Sequence, residues 1–184
     1  MKSVPILLIG FRFLLSFIIP LIGFVNFEYA RAIMVILVVL GLLSDMFDGI
    51  IARGLNVSTD WLRKMDSNVD IVFAIGVLVS CFILNEEMFN YLPQFLVVLV
   101  LELTTYLSFW IKFRKQPSNH SYLTKCFGLL LFITSGMIIG WANFTLFPIL
   151  FVVAMLSYLD GFAILIYLKK YRIDNKSVFH LNKK

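Results

Sequence analysis

The chain is predicted to be an all-α integral membrane protein with six transmembrane helices and both termini in the cytoplasm. Three observations lead to that class. Of the 184 residues, 60% are hydrophobic and 16% aromatic, with a mean hydropathy of +0.91, which exceeds what a soluble globular domain carries. The apolar residues fall in runs of about 20, each long enough to cross ~30 Å of hydrocarbon as a helix that satisfies its own backbone polar groups. The Lys and Arg residues are concentrated in every other connection between the runs, on one side, as the cytoplasmic loops of a membrane protein require.

The spans are read at Pro5–Phe27, Arg31–Ile51, Asp66–Leu84, Tyr91–Lys112, Tyr122–Trp141 and Thr145–Leu168, with a polar cytoplasmic tail at 169–184. Residues 1–184 are read as a single transmembrane domain, since almost nothing remains for an extramembrane one. The first run follows Lys2 and precedes a small-residue stretch, Ala30-Arg31-Ala32. It is nevertheless longer than the roughly 7–15-residue core of a signal peptide and five further spans follow, so it reads as a retained helix. Cys81 and Cys126 stand in apolar surroundings without CxxC spacing, which favours buried packing over a disulfide or a metal role. Gly136 and Gly140 on the fifth span permit close helix contact, either between two copies of the chain or internally. Glu102 and Asp160 lie within spans, where a carboxyl group is protonated, paired with Ser, Thr or Tyr neighbours, or lines a lipid or acceptor channel.

Fourteen of the sixteen basic residues fall on one side: Lys2; Arg53, Arg63 and Lys64; Lys112, Arg114, Lys115 and Lys125; and six in the tail. Arg31 falls on the other side, with Glu28, Glu86 and Glu87, while Arg12 lies inside the first span. The net charge of +5 therefore expresses topology and attraction to anionic headgroups. No basic stripe with interleaved aromatics suggests a nucleic-acid partner.

The cytoplasmic ends of the second and third spans carry the most informative segment, Asp45-Met-Phe-Asp48-Gly49-Ile-Ile-Ala52-Arg53, followed by Asp66 and Asp70. Residues three or four apart share a helix face. Asp45 and Asp48 thus form one pair, Asp66 and Asp70 another, and the stretch between them brings the pairs together. Four converging carboxylates repel one another and are costly to desolvate. Divalent cations remove that cost, and an all-oxygen donor set suits Mg²⁺, Mn²⁺ or Ca²⁺, with no His or Cys near enough to suggest zinc. The plainer reading is an interfacial salt-bridge collar with Arg53, Arg63 and Lys64, or helix caps. Seven fixed residues at fixed spacings arise by chance on the order of once in 10^9 starting positions, which argues for a dedicated site.

These residues carry a family resemblance. The segment resembles the signature of the CDP-alcohol phosphatidyltransferases, in which DxxDGxxAR is followed after eight residues by a glycine and then by two aspartates at spacings of four. Asp45, Asp48, Gly49, Ala52, Arg53, Asp66 and Asp70 match; Leu62 stands in place of the glycine. The resemblance implies a bacterial cytoplasmic-membrane enzyme of phospholipid synthesis that displaces CMP from CDP-diacylglycerol by an alcohol, with its active site at the cytoplasmic face. It implies two Mg²⁺ or Mn²⁺ ions that clamp the pyrophosphate. Asp45, Asp48 and Asp66 would be the core ligands, and Asp70 would complete the shell and take the acceptor's proton. Gly49 and Ala52 would let a nucleotide approach the helix backbone and Arg53 would supply donors to it; singly, these residues read as helix packing and positive-inside marking. Family members are often homodimers.

Two departures accompany the match. If the family glycine lets the nucleotide approach, Leu62 would narrow the pocket or shift the helix start unless the neighbouring loop has rearranged. In the first span many bacterial relatives carry PNxxTxxR, whereas this chain keeps Pro5 and Arg12 but has Ile6 and Ile9. An arginine within a span needs a partner, which for Arg12 is either substrate phosphate or a motif aspartate, unless it snorkels to the interface. Arg114, Lys115 and Lys125 could read a phosphorylated acceptor. Size and layout resemble the bacterial phosphatidylglycerophosphate synthases most, making glycerol 3-phosphate the default acceptor, with inositol phosphate, serine or a CDP-alcohol plus lipid variant as alternatives. A small cation transporter using the six intramembrane acids and a catalytically inactive family member are the competing classes.

Overall fold

The computed structural model describes residues 4–55, 59–115 and 121–168; the tail at 169–184 lies outside the described residues, as do the side chains of Ala52, Arg53, Asp60 and Arg63. The described chain is helical, with no strand among the described residues. Its helices are α1 (Val4–Val25), α2 (Ala30–Gly54), α3 (Asp60–Leu84), α4 (Leu92–Phe113), α5 (Tyr122–Trp141) and α6 (Phe147–Tyr167), with a 3₁₀ segment at Glu86–Tyr91 before α4. All six are long and apolar enough to cross a membrane. Asn26 stops α1 by turning left-handed at φ 42° while its N–H still bonds Ile22 O, a conformation that asparagine tolerates at a helix end.

The largest departure from the sequence reading is the start of α3. Hydropathy opens the third span at Asp66, yet the helix begins six residues earlier. Thr59 provides the reason: its Oγ1 accepts the Leu62 N–H at 3.2 Å, capping an otherwise orphaned donor. Leu62 is therefore a first-turn residue, and Asp66 stands on the second turn instead of at the mouth.

The chain groups into two compact units, Met1–Met88 with Ser135–Phe144, and Phe89–Thr134 with Thr145–Lys184. In the first, α1 packs on both α2 and α3. Its buried residues are Pro5, Ile9, Arg12, Leu15, Ser16, Ile19 and Gly23, one stripe at helical spacing. The buried stripe of α2 runs Ala30, Met34, Val38, Gly41, Ser44, Asp48, and that of α3 includes Leu62, Val69, Phe73 and Val77. The opposite faces keep Leu, Ile and Phe exposed, as helices surrounded by lipid do. Because Arg12 and Asp48 occupy positions in these stripes, the periodicity that buries the apolar residues also buries two charges.

Backbones approach closely where the stripes meet. A Cβ on Gly41 would stand 2.2 Å from the Phe73 ring, and one on Gly76 would stand 2.1 Å from the Ser16 carbonyl oxygen. That carbonyl is available because Pro20, inside α1, has no N–H to bond the residue four positions earlier. Gly76→Ala should therefore cost about 1–3 kcal/mol by overpacking against backbone. Gly10→Ala, where nothing lies within 4 Å, should be neutral or stabilising by up to ~1 kcal/mol through helix propensity. Thermal unfolding of the two variants in detergent checks both.

At the far end of this unit, Arg31 donates to Leu84 O at 3.0 Å, to Ile139 O at 2.9 Å and to Asn85 Oδ1 at 3.3 Å. Asn85 Nδ2 donates to Ile138 O at 3.2 Å. One cation thus ties the start of α2 to the last carbonyls of α3 and of α5, where positive charge is favourable. Cys81 is buried, as expected, with its Sγ 3.8 Å from Ser135 O; Cys126 is instead exposed on α5. Of the two small residues on α5, Gly140 faces Val35, while a Cβ on Gly136 would meet nothing within 4 Å.

In the second unit α4 packs on α6. Tyr91 and Phe95 stack against Phe147 at 4.3 and 5.3 Å between ring centroids, and Lys112 Nζ donates to Leu165 O, so the two helices run parallel. The intramembrane acids lie here: Glu102 lies within electrostatic reach of Tyr158, whereas Asp160 buries one oxygen without a partner. Thr124 and Ser157 share a hydrogen bond of 3.1 Å.

Candidate metal and phosphate site

The site forms where the three stripes of the first unit meet. Ile9 packs with Leu62 and Arg12 with Asp66, while Ser16 faces Gly76 and Gly23 faces Ile83. The numbers rise together, so α1 and α3 run parallel, and α1 carries Arg12 into register with the acidic turns of α2 and α3. The guanidinium then meets all four motif aspartates. Its Nη1 lies 2.5 Å from Asp45 Oδ1 and 2.6 Å from Asp70 Oδ1; its Nη2 lies 2.8 Å from Asp48 Oδ2 and 2.5 Å from Asp66 Oδ1. Each terminal nitrogen bridges one carboxylate from α2 and one from α3. The remaining donor, Nε, is buried without a partner.

Burial makes the arrangement a bowl. Arg12 and Asp48 form the floor, at 1% and 4% side-chain exposure, while Asp45 and Asp70 are each 42% exposed at the rim and Asp66 is 31% exposed. One guanidinium carries a single positive charge against four carboxyl groups held close together at the edge of an apolar bundle. At such separations uncompensated charge is expensive.

The donor set fits a divalent cation. One oxygen each from Asp45, Asp48 and Asp66 can be chosen so that all lie within 4.8 Å of one another. Opposed oxygens around Mg²⁺ stand about 4.2 Å apart and those around Ca²⁺ about 4.8 Å, so small inward movements of side chains would complete a shell. Asp70 stands outside this trio and joins the cluster through Arg12.

The remaining residues singled out from the sequence are distributed as follows. Gly49 lies on α2 next to Asp48, half-buried. Ala52 and Arg53 continue α2, their side chains lying outside the described residues. Arg114, Lys115 and Lys125 are exposed and belong to the second unit, with Arg114 stacked over Trp110 at 4.8 Å. Sequence reasoning offered Arg53, Arg63 and Lys64 as a salt-bridge collar and gave Arg12 either substrate phosphate or a motif aspartate as its partner. Among the described residues the counter-charge comes from Arg12, and the spacing Pro5, Ile9, Arg12, Ser16, Ile19 puts that arginine in the middle of a buried face.

The two departures from the family pattern also meet. Ile9 and Leu62, 1% and 8% exposed, pack with Val69 and Met65 in one apolar cluster. Ile9 precedes Arg12 by one turn and Leu62 precedes Asp66 by one turn, so this cluster abuts the ionic one along the α1–α3 seam.

No curated protein and no solved structure matches the sequence significantly. The signature on α2 and α3 is nevertheless part of a correspondence over nearly the whole chain: the profile of the CDP-alcohol phosphatidyltransferase family matches residues 2–166, so the chain belongs to that family of membrane transferases, which move a substituted phosphate group from a CDP-alcohol to an acceptor in phospholipid synthesis.

Proposed function

We propose that the protein transfers the phosphatidyl group of CDP-diacylglycerol to a small phosphorylated alcohol, glycerol 3-phosphate, at the cytoplasmic face of a bacterial membrane, with release of CMP. The observation that carries this reading is the convergence of four carboxylates from two helices on one guanidinium, three of them spaced to share an ion. Residues 1–184 act as one catalytic domain, with both termini cytoplasmic on the strength of the fourteen basic residues on that side.

Asp45, Asp48 and Asp66 hold the divalent cations, Mg²⁺ or Mn²⁺, and Asp70 completes the shell. When bound, two such ions neutralise the pyrophosphate and stabilise the departing CMP. Asp70, standing at the rim and outside the trio, is suited to take the acceptor hydroxyl's proton as the oxygen attacks phosphorus. Gly49 and Ala52 leave room for the nucleotide beside α2, and Arg53 offers donors to its phosphates. Arg114, Lys115 and Lys125 attract the acceptor's phosphate to the cytoplasmic face. A homodimer is the proposed assembly.

The test is CMP release by the purified chain with CDP-diacylglycerol, Mg²⁺ or Mn²⁺ and a panel of alcohols. Release is expected with glycerol 3-phosphate and not without metal. Release only with inositol phosphate or serine would reassign the acceptor. No CMP with any acceptor would favour an inactive family member, and nucleotide-independent cation flux in liposomes would favour a transporter.

A further inference from the structure

We propose that Arg12 is a resident counter-cation that shares the carboxylate cradle with the divalent metal and is expelled from it as the metal enters, so that loading the site and freeing Arg12 are one event. The inference rests on the metal-dependent reading above and concerns a residue to which that reading gives no part.

Four observations carry it. Both terminal nitrogens of the guanidinium are committed to carboxylates of the trio and of Asp70, at 2.5–2.8 Å. The carboxylates it holds on Asp45, Asp48 and Asp66 are the three close enough to ligate one ion, so arginine and metal compete for the same groups. The position is a compromise for arginine itself, because Nε–H is buried with no acceptor; the carboxylates dictate where the side chain lies. Finally, charge favours exchange. One guanidinium offers a single positive charge to four carboxyl groups, whereas two divalent cations would hold all four as carboxylates and leave the arginine without a counter-ion.

The bowl supplies a route. Asp45, Asp66 and Asp70 are partly exposed, while Arg12 and Asp48 lie beneath them. An incoming ion therefore engages the rim carboxylates before the guanidinium leaves the floor. Arg12 keeps the four aspartates assembled beforehand and, once displaced, turns its planar fork to an oxyanion arriving with the metal, the geometry that arginine suits best. Lysine could not do this, since one ammonium cannot bridge the α2 and α3 carboxylates in two parallel pairs.

The experiment uses the full chain in detergent with Mn²⁺ as the probe, bound ion being read by electron paramagnetic resonance. In the wild-type protein, modification of Arg12 by phenylglyoxal, followed by mass spectrometry, should be slow and should accelerate several-fold as Mn²⁺ saturates the site. Arg12→Gln should unfold at lower temperature without divalent cation and recover with Mn²⁺, and it should bind Mn²⁺ roughly tenfold more tightly, the size of an ordinary coupling between competing ligands. Arg12→Lys should fall between the two and keeps the comparison available if Arg12→Gln does not fold. Bound Mn²⁺ with Arg12 no more reactive than before, or no gain in Mn²⁺ affinity in either variant, would overturn the displacement while leaving the metal reading intact. Failure of both wild-type and variant proteins to bind Mn²⁺ would instead overturn the metal reading and, with it, the exchange.

Discussion

Asp70→Asn is expected to slow CMP release by about 10²–10⁴-fold, the usual worth of a positioned general base, while Mn²⁺ binding remains measurable. The expectation comes from the split within the acidic cluster. Asp45, Asp48 and Asp66 are mutually close enough to share an ion, and Asp70 is tied to them through the guanidinium of Arg12. An amide at position 70 keeps the size and one acceptor oxygen but cannot take a proton from an attacking hydroxyl. Asp48→Asn makes the contrast. Asp48 is the floor of the bowl at 4% side-chain exposure, and its loss should remove both turnover and tight Mn²⁺ binding. Measuring CMP release and bound Mn²⁺ on the two variants separates the roles. Equal loss of metal in both would make Asp70 an ordinary ligand, and undiminished release from Asp70→Asn would remove it from the chemistry.

Much of this arrangement was legible in the sequence, for identifiable reasons. Spans of about 20 apolar residues admit few structures in lipid, which is why six helices could be read with ends close to those observed. The acidic pairs were legible because spacings of three and four place side chains on one helix face. Two things were not. The start of α3 depends on a single cap, Thr59 Oγ1 to Leu62 N, a local bond that hydropathy does not register. A motif aspartate was one of the partners the sequence offered Arg12, but that all four converge on it depends on how α1 rotates about its own axis, which is fixed by close approaches such as Gly76 to Ser16 O that only the packed bundle specifies. Reading Ile9 and Leu62 as separate departures had the same origin: their compensation is visible only once α1 and α3 are laid in parallel.

That compensation leads to the second large effect. Leu62→Gly, which installs the residue the family carries, should destabilise the chain by about 3–5 kcal/mol. Removing a buried leucine costs about 2–5 kcal/mol even when replaced by alanine, and glycine adds up to ~1 kcal/mol within a helix. The site cannot collapse easily, because Ile9, Val69 and Met65 hold its walls from two helices. Leu62 also lies before the candidate span that begins at Lys64, so the change opens the end of the bundle to the aqueous interface and leaves apolar surface there. Ile9 stands one turn from Arg12 and Leu62 one turn from Asp66; loosening their contact loosens the register that holds Arg12 on the carboxylates. CMP release should accordingly fall in Leu62→Gly. Ile9→Thr should be destabilising as well, but the double substitution should cost less than the sum of the two, since both residues build one cluster. Unfolding in detergent and CMP release for the four proteins of this cycle decide the matter. Release that rises in Leu62→Gly at unchanged stability would mean that the leucine obstructs the donor pocket; a fall in both quantities, with a double variant better than the sum, means that this chain has exchanged a polar seam between α1 and α3 for an apolar one.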